Sequence, residues 1–324
     1  QALQPVGETS FIVEQARLDA RHAGERQRRQ PGDEWRPALV VLLAEGAQPL
    51  RPALGRGRRG DLLTDGRGSR VAIGRLRRVH TLEPGLGEAR VAIEIAAEKA
   101  GARLFIHGQD FTAHEEGGAL IYQDEDGLLD LPLPRLPGRH QIDNAGVAIC
   151  ALRKSGMLPL ERQAVARAMT EVAWPARLQR LTKGPLFEVI PQGAELWLDG
   201  GHNPAAGRAV AETMAELAHR DSDSDPRPLI LVSGMLDTKD AGGFFAPFRG
   251  LASHVETVTI PGAPASVPAE ALAKAASHAG LDAHAAPSLG EALQRASLAA
   301  GRATPRILIC GSLYLAGHVL AEHG

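Results

Sequence analysis

Only two cysteines occur in the 324 residues, aromatics make up 4%, and no apolar run approaches the length of a membrane-spanning helix. The shortage of cysteine excludes a zinc centre unless histidines and carboxylates supply nearly every ligand. Cys150 and Cys310 both sit in apolar surroundings, VAICAL and ILICGS, which predicts two buried free thiols in a reducing compartment. Lysine is missing altogether from residues 1–90, where arginine occurs 16 times and the aromatics are limited to Phe11 and Trp35. The chain opens QALQPVGETS, with neither an initiator Met nor a basic stretch running into an apolar core. No secretory signal is expected, and a truncated chain stays open. A net charge of −2 and 44% hydrophobic residues predict a globular, cytoplasmic protein, long enough for two domains.

Residues 1–90 show no sustained period of 2 or 3.6. Gly, Arg and Pro punctuate pieces such as GRGRRGDLLTDGRGSR and ERQRRQPGDEW too often for long elements. A nucleic-acid surface would need interleaved aromatics, which this basic region lacks. Further on, ARLFIHG, ALIYQDED and GLLDLPLP read as short strands, and HQIDNAGVAICALRKSG as a helix ended by Gly156. From residue 195 strands and helices alternate. AELWLDG, PLILVSG, VETVTIPG and RILICGS are the strands; the helices lie over 205–219, in PAEALAKAASHAG behind Ser266 and Pro268, in LGEALQRASLAAG and in LYLAGHVLAEHG. Apolar strands joined by helices predict a Rossmann-like parallel sheet covered on both faces.

The segment LWLDGGHNPAAGRAVAETMAEL (196–217) carries the densest chemistry. A strand ends at Asp199, Asn203 is the natural N-cap, and Pro204 fits the first helical turn because its missing N–H costs nothing there. Val210, Met214 and Leu217 recur at spacings of four and three, so one stripe of the helix is expected to face a sheet. The helix N-terminus then stands beside Asp199 at the carboxyl end of a strand, where open α/β sheets bind ligands.

Four motifs in order, GRHQIDNAGVA (138–148), WPARLQRL (174–181), LWLDGGHNP (196–204) and GSLYLAGHVL (311–320), with SGMLDTKD (233–240) between the last two, resemble one family. It is the bacterial bifunctional folylpolyglutamate synthase/dihydrofolate synthase family of the Mur ligase superfamily. The resemblance covers about residues 91–324. Gln141 and the apolar Leu198 before Asp199 point to the folate branch rather than to the cell-wall ligases. The implied architecture is an α/β, Mur-ligase-like fold. Residues 1–172 would be a remnant of the central ATP-binding domain with a degraded P-loop, poorly patterned over 1–90, and residues 173–324 a Rossmann-like C-terminal domain.

The resemblance implies ATP-dependent amide ligation: a pterin-linked carboxylate takes the γ-phosphoryl group, and the glutamate amine displaces phosphate. It further implies that Asn144 hydrogen-bonds the adenine edge and that Arg177 contacts the phosphates. Asp199 would accept from the ribose hydroxyls, and His202 and Asn203 would line the ATP and substrate cleft. Lys99, in IAAEKAG, matches the lysine that the family carbamylates to bridge metal, which with His202 makes the catalytic pair, and His80, in RVHTLEPGLG, is a second candidate metal ligand. ATP and Mg²⁺ are the implied cofactors. The implied partners are dihydropteroate or a folate, L-glutamate and ATP, on a monomer with no nucleic-acid or membrane surface.

The chain departs from the pattern in several places. It has PAR where the family has PGR, no GTNGKGS-like or VGLGGRLDATN-like segment occurs, and EKAG runs directly into ARLFIHG. The alternative is therefore a non-catalytic nucleotide- or folate-binding relative. Back-translated and shifted by one base, GERQRRQ (24–30) can be written as Ala-Asn-Gly-Lys-Gly-Gly, so much of 1–90 is expected to be an out-of-frame reading, which the coding DNA would test.

Overall fold

The computed structural model describes residues 102–156, 160–220 and 227–323, with two short strands and four helical residues before them. The chain divides into two compact units: Gln1–Arg135 with Gln141–Val172, and Leu136–His140 with Ala173–Gly324.

In the first unit, β1 (Val40–Leu42), β2 (Val79–Leu82) and β3 (Arg103–Ile106) form a parallel sheet in the order β1-β2-β3. Two of these strands fall where the sequence shows no sustained period. The remainder of the out-of-frame region proposed for 1–90 lies outside the described residues. An antiparallel meander follows, β4 (Phe111–Glu116), β5 (Ala119–Asp124) and β6 (Gly127–Pro132), turned by Gly117 and Gly118 at φ 60° and 80°. Strand β4 was not expected from the sequence. Helix α1 (His140–Ser155) ends at Gly156, whose φ of 61° is the left-handed stop that the sequence predicts. Helix α2 (Arg162–Glu171) completes the unit. Phe111, Leu120, Tyr122 and Leu131 from the meander and Val147 and Ile149 from α1 form one buried cluster with Val165 and Met169 from α2.

The second unit is a six-stranded sheet in the order β11-β10-β9-β12-β8-β7. Its strands are β7 (Gln179–Leu181), β8 (Glu195–Leu198), β9 (Leu229–Ser233), β10 (Ala252–Thr257), β11 (Ala283–Ala285) and β12 (Arg306–Cys310). Only the edge strand β7 runs antiparallel to its neighbour. Strands β9 and β12 are buried along their whole length, which is why they carry the apolar runs LILV and ILIC; the buried Arg306 that opens β12 pairs with Glu195 at 2.7 Å. The helices are α3 (Pro204–Arg220), α4 (Ala241–Phe245), α5 (Ala269–His278), α6 (Leu289–Ala299) and α7 (Leu313–His323). One face of the sheet packs Leu196, Leu198, Ile230, Val232, Ile307 and Ile309 with residues of α6 and α7. The other packs Trp197, Leu229, Leu231 and Leu308 with Val210 and Met214 of α3 and the phenylalanines at 244, 245 and 248.

Three local expectations shift. The strand placed at VETVTIPG begins three residues earlier, at Ala252, because Ala252 and His254 already pair with β9 across a register irregularity. Helix α5 starts at Ala269 behind Pro268. Ser266 does not cap it, and its hydroxyl accepts from Ile260 N at 2.8 Å instead. Strand β11, between α5 and α6, was missed. Both cysteines are buried and free, as their surroundings predict. No helix among the described residues is long and apolar enough to cross a membrane.

Candidate functional site

The carboxyl ends of β8, β9 and β12 converge on backbone-only contacts, which explains the glycines in their loops. Gly311 N donates to Gly201 O at 3.1 Å, Gly234 N to Cys310 O at 3.2 Å, and Asp199 N to Ile309 O at 2.9 Å. Gly311 has φ 101°, and a Cβ there would stand 2.5 Å from Ser233 Oγ and 2.9 Å from Gly234 O. A Cβ at Gly200 would strike Leu313 and lie 3.2 Å from Arg177 Nη1, so the arginine side chain passes directly over the Gly200 backbone.

Asp199 is the anchor of this loop. It is buried at 5% exposure, its Oδ1 accepts from Gly201 N at 2.6 Å, and its Oδ2 accepts from Leu178 N at 2.9 Å. Burial pushes its carboxyl above the usual range, against the pull of those two amides and of Arg177. Through Leu178 the carboxylate grips a tight arch before β7. Ala176 and Leu178 both have positive φ, 56° and 42°, so Arg177 is held between two left-handed residues. The arch is tied at three more points: Ala176 N donates to Gln179 Oε1 at 3.0 Å, Gly200 N donates to Ala176 O at 2.9 Å, and Arg177 Nη1 donates to Ala176 O at 3.2 Å. The left-handed backbone at Ala176 supplies the physical reason a glycine suits that position, where this chain has PAR rather than PGR.

His202 donates from Nδ1 to Gly200 O at 2.9 Å, because a carbonyl can only accept; in the neutral ring this leaves Nε2 as an acceptor. Burial holds its pKa below 6.5, and the cations of Lys239 and Arg177 add to the depression. Asn203 Oδ1 accepts from Ala206 N at 2.8 Å and caps α3, as its position before Pro204 predicts. Val210 and Met214 are buried and Leu217 packs against them, as the spacing predicts.

Arg177, Asp199, His202 and Asn203 are thus brought together in the second unit. Asn144 belongs to the first unit, in the second turn of α1, where its Nδ2 donates to Gln141 Oε1 at 3.2 Å. His80 lies on β2, paired with Val41 and Leu104 in the backbone register. Lys99 lies outside the described residues. Sequence reasoning missed the parts of the arch other than Arg177. Its one signal was the alanine standing where a glycine is expected.

Comparison with known proteins agrees with the motif resemblance. Residues 187–313 match the family described as Mur ligase, glutamate ligase domain. The chain is 28% identical over 242 residues to folylpolyglutamate synthase of Lacticaseibacillus casei, covering 71% of this chain and 50% of that one. It is 26% identical over 238 residues to dihydrofolate synthase/folylpolyglutamate synthase of Escherichia coli K12, covering 72% and 50%. Among solved structures, Mycobacterium tuberculosis folylpolyglutamate synthase complexed with ADP superposes with a TM-score of 0.60 at 25% identity, covering 75% of this chain and 54% of that chain. The chain therefore has a Mur-ligase-like α/β fold and is similar to folylpolyglutamate synthases, and it spans about half the length of the curated relatives it matches.

Proposed function

We propose that this chain performs ATP-dependent ligation of L-glutamate to a pterin-linked carboxylate, dihydropteroate or a tetrahydrofolate. The observation that carries the reading is the Arg177 arch: a planar, permanently charged fork clamped over the glycine loop at the carboxyl end of β8. Lys239 adds a second cation close enough to depress His202. Two cations beside this loop fit a polyphosphate.

In the proposed reaction a carboxylate oxygen of the pterin substrate attacks the γ-phosphorus, and the bond to the β-phosphate oxygen breaks, leaving ADP. The glutamate nitrogen then attacks the acyl carbon, the bond from that carbon to the phosphate oxygen breaks, and the amine proton is lost as the amide forms. The protein's part is positioning and charge neutralisation. Arg177 meets the phosphates, and Asp199 fixes Arg177 through Leu178; the ribose contact expected of Asp199 would use the remaining lone pairs of the same carboxylate. The resemblance assigns His202 and Asn203 to the lining of the ATP and substrate cleft and Asn144 to the adenine edge. Mg²⁺ would neutralise the crowded phosphates when bound. Its expected ligands, carbamylated Lys99 and His80, are residues whose side chains the structure leaves undescribed, and no step is assigned to them.

The test is transfer of ¹⁴C-glutamate to dihydropteroate and to tetrahydrofolate with ATP and Mg²⁺. Turnover that falls at least about 100-fold in Arg177→Ala, the scale of a lost electrostatic donor, supports the reading. ATP binding without turnover would instead identify a nucleotide-binding relative, and turnover unaffected by Arg177→Ala would overturn the assignment of that residue.

A further inference from the structure

Away from the glycine loops, toward the amino-terminal ends of β10 and β11, two imidazoles meet on one carboxylate. His254 Nδ1 lies 3.1 Å from Asp282 Oδ2, and His284 Nε2 lies 3.0 Å from Asp282 Oδ1. Each residue offers one ligand atom, and these atoms all lie within 4.8 Å of one another. The register of β10 against β11 pairs Glu256 with His284, so alternation brings His254, Glu256 and His284 to one face of the sheet edge. Behind the cluster, His254 Nε2 is 2.8 Å from Glu256 Oε1. Glu256 is 2% exposed, and its other oxygen has no hydrogen-bond partner among the described residues.

We infer that His254, Asp282 and His284 form a binding site for a first-row divalent transition metal of the Zn²⁺ or Co²⁺ class, with Glu256 as the group that orients His254. Carboxylates only accept, so a neutral His254 that donates from Nε2 to Glu256 turns a bare Nδ1 lone pair onto Asp282, an arrangement that needs a cation between them. A proton there would bring one positive charge between two carboxylates, on a ring stacked on His284 at a centroid distance of 5.1 Å. A divalent ion brings two, balancing Glu256 and Asp282, and takes both imidazoles as ligands. The spacing allows it: the three ligand atoms lie within 4.8 Å of one another, and metal–ligand bonds of about 2.0–2.1 Å in a tetrahedron would draw them to about 3.3 Å apart. A histidine ligand whose second nitrogen donates to a buried carboxylate is the usual outer arrangement of such sites. Two imidazoles select zinc-like ions over Mg²⁺ or Ca²⁺, so this site differs in kind from one that would serve nucleotide phosphates. Its product would be a clip fastening the three-residue edge strand β11 to β10.

The 324-residue chain, stripped with chelator, is titrated with Co²⁺ and separately with Zn²⁺. A visible Co²⁺ ligand-field band saturating at one equivalent, displaced by Zn²⁺, and a melting midpoint raised by Zn²⁺ are expected. Asp282→Ala and His284→Ala change exposed side chains and should leave the chain folded while abolishing the band and the Zn²⁺-dependent rise. Glu256→Gln should weaken binding about 10–100-fold. No band in the wild-type chain, or a band of unchanged intensity in both ligand variants, overturns the proposal.

Discussion

Ala176 and Leu178 hold Arg177 at a cost, since left-handed backbone disfavours any residue with a Cβ by about 1–2 kcal/mol. Ala176→Gly relieves that strain while freeing the unfolded chain, so it should leave stability unchanged or raise it by up to about 1 kcal/mol, read as the urea midpoint. Loss of more than about 1 kcal/mol would mean that the methyl group, buried at 2% exposure, packs more usefully than the strain suggests. Asp199→Ala strands the buried amide of Leu178 and the half-buried amide of Gly201, and should destabilise the protein by about 2–4 kcal/mol, with Asp199→Asn recovering part. The depressed pKa of His202 carries a pH signature. Its neutral, half-buried form contributes stability above its unfolded value of 6.5 that is lost as pH falls through the lower folded value. His202→Gln should therefore flatten the decline in melting midpoint below pH 6.5, and the His202 ring resonances should titrate below that value. A folded-state midpoint at or above 6.5 would contradict this.

At the scale of elements, α3 packs on α4 through Gly207. A Cβ there would meet the Phe244 backbone, with the carbonyl carbon and Cα each 3.1 Å away, and backbone cannot step aside as a side chain can. Gly207→Ala should cost about 1–3 kcal/mol in denaturant unfolding, as overpacking does. Ser288, whose hydroxyl accepts from Glu291 N, caps α6, and Ser288→Ala should cost about 1 kcal/mol. The elements read correctly from sequence were those whose burial leaves a strong pattern. Strands β8, β9 and β12 are apolar runs, α3 has a cap, an N-terminal proline and an apolar stripe, and α1 ends on glycine. The missed strands had weak patterns for physical reasons. In β4, FTAHEE, only Phe111 and Ala113 are buried, and β11 is three residues, AHA, at an edge, too short for alternation to register.

For the molecule as a whole, the second unit holds apolar clusters on both faces of its sheet, assembled from residues within 173–324. Residues 173–324 expressed alone should give a cooperative thermal transition with native-like far-ultraviolet circular dichroism. A non-cooperative melt would mean that this core is incomplete without the first unit.

The sequence by itself determined the parallel sheet, the cap and entry of α3, the burial of both cysteines and the family resemblance, because each rests on local order: apolar runs, residue pairs three and four apart, and contiguous motifs. Tertiary structure alone decided how the candidate site is held. Asp199 reaches back to Leu178 and forward to Gly201, and Gly311 meets Gly201 across loops far apart in the chain. The His254–Asp282–His284 cluster arises in the same way, since only the β10–β11 register brings those side chains together. Such contacts join distant segments whose pairing is set by the packing of the sheet, and no short stretch of residues encodes them.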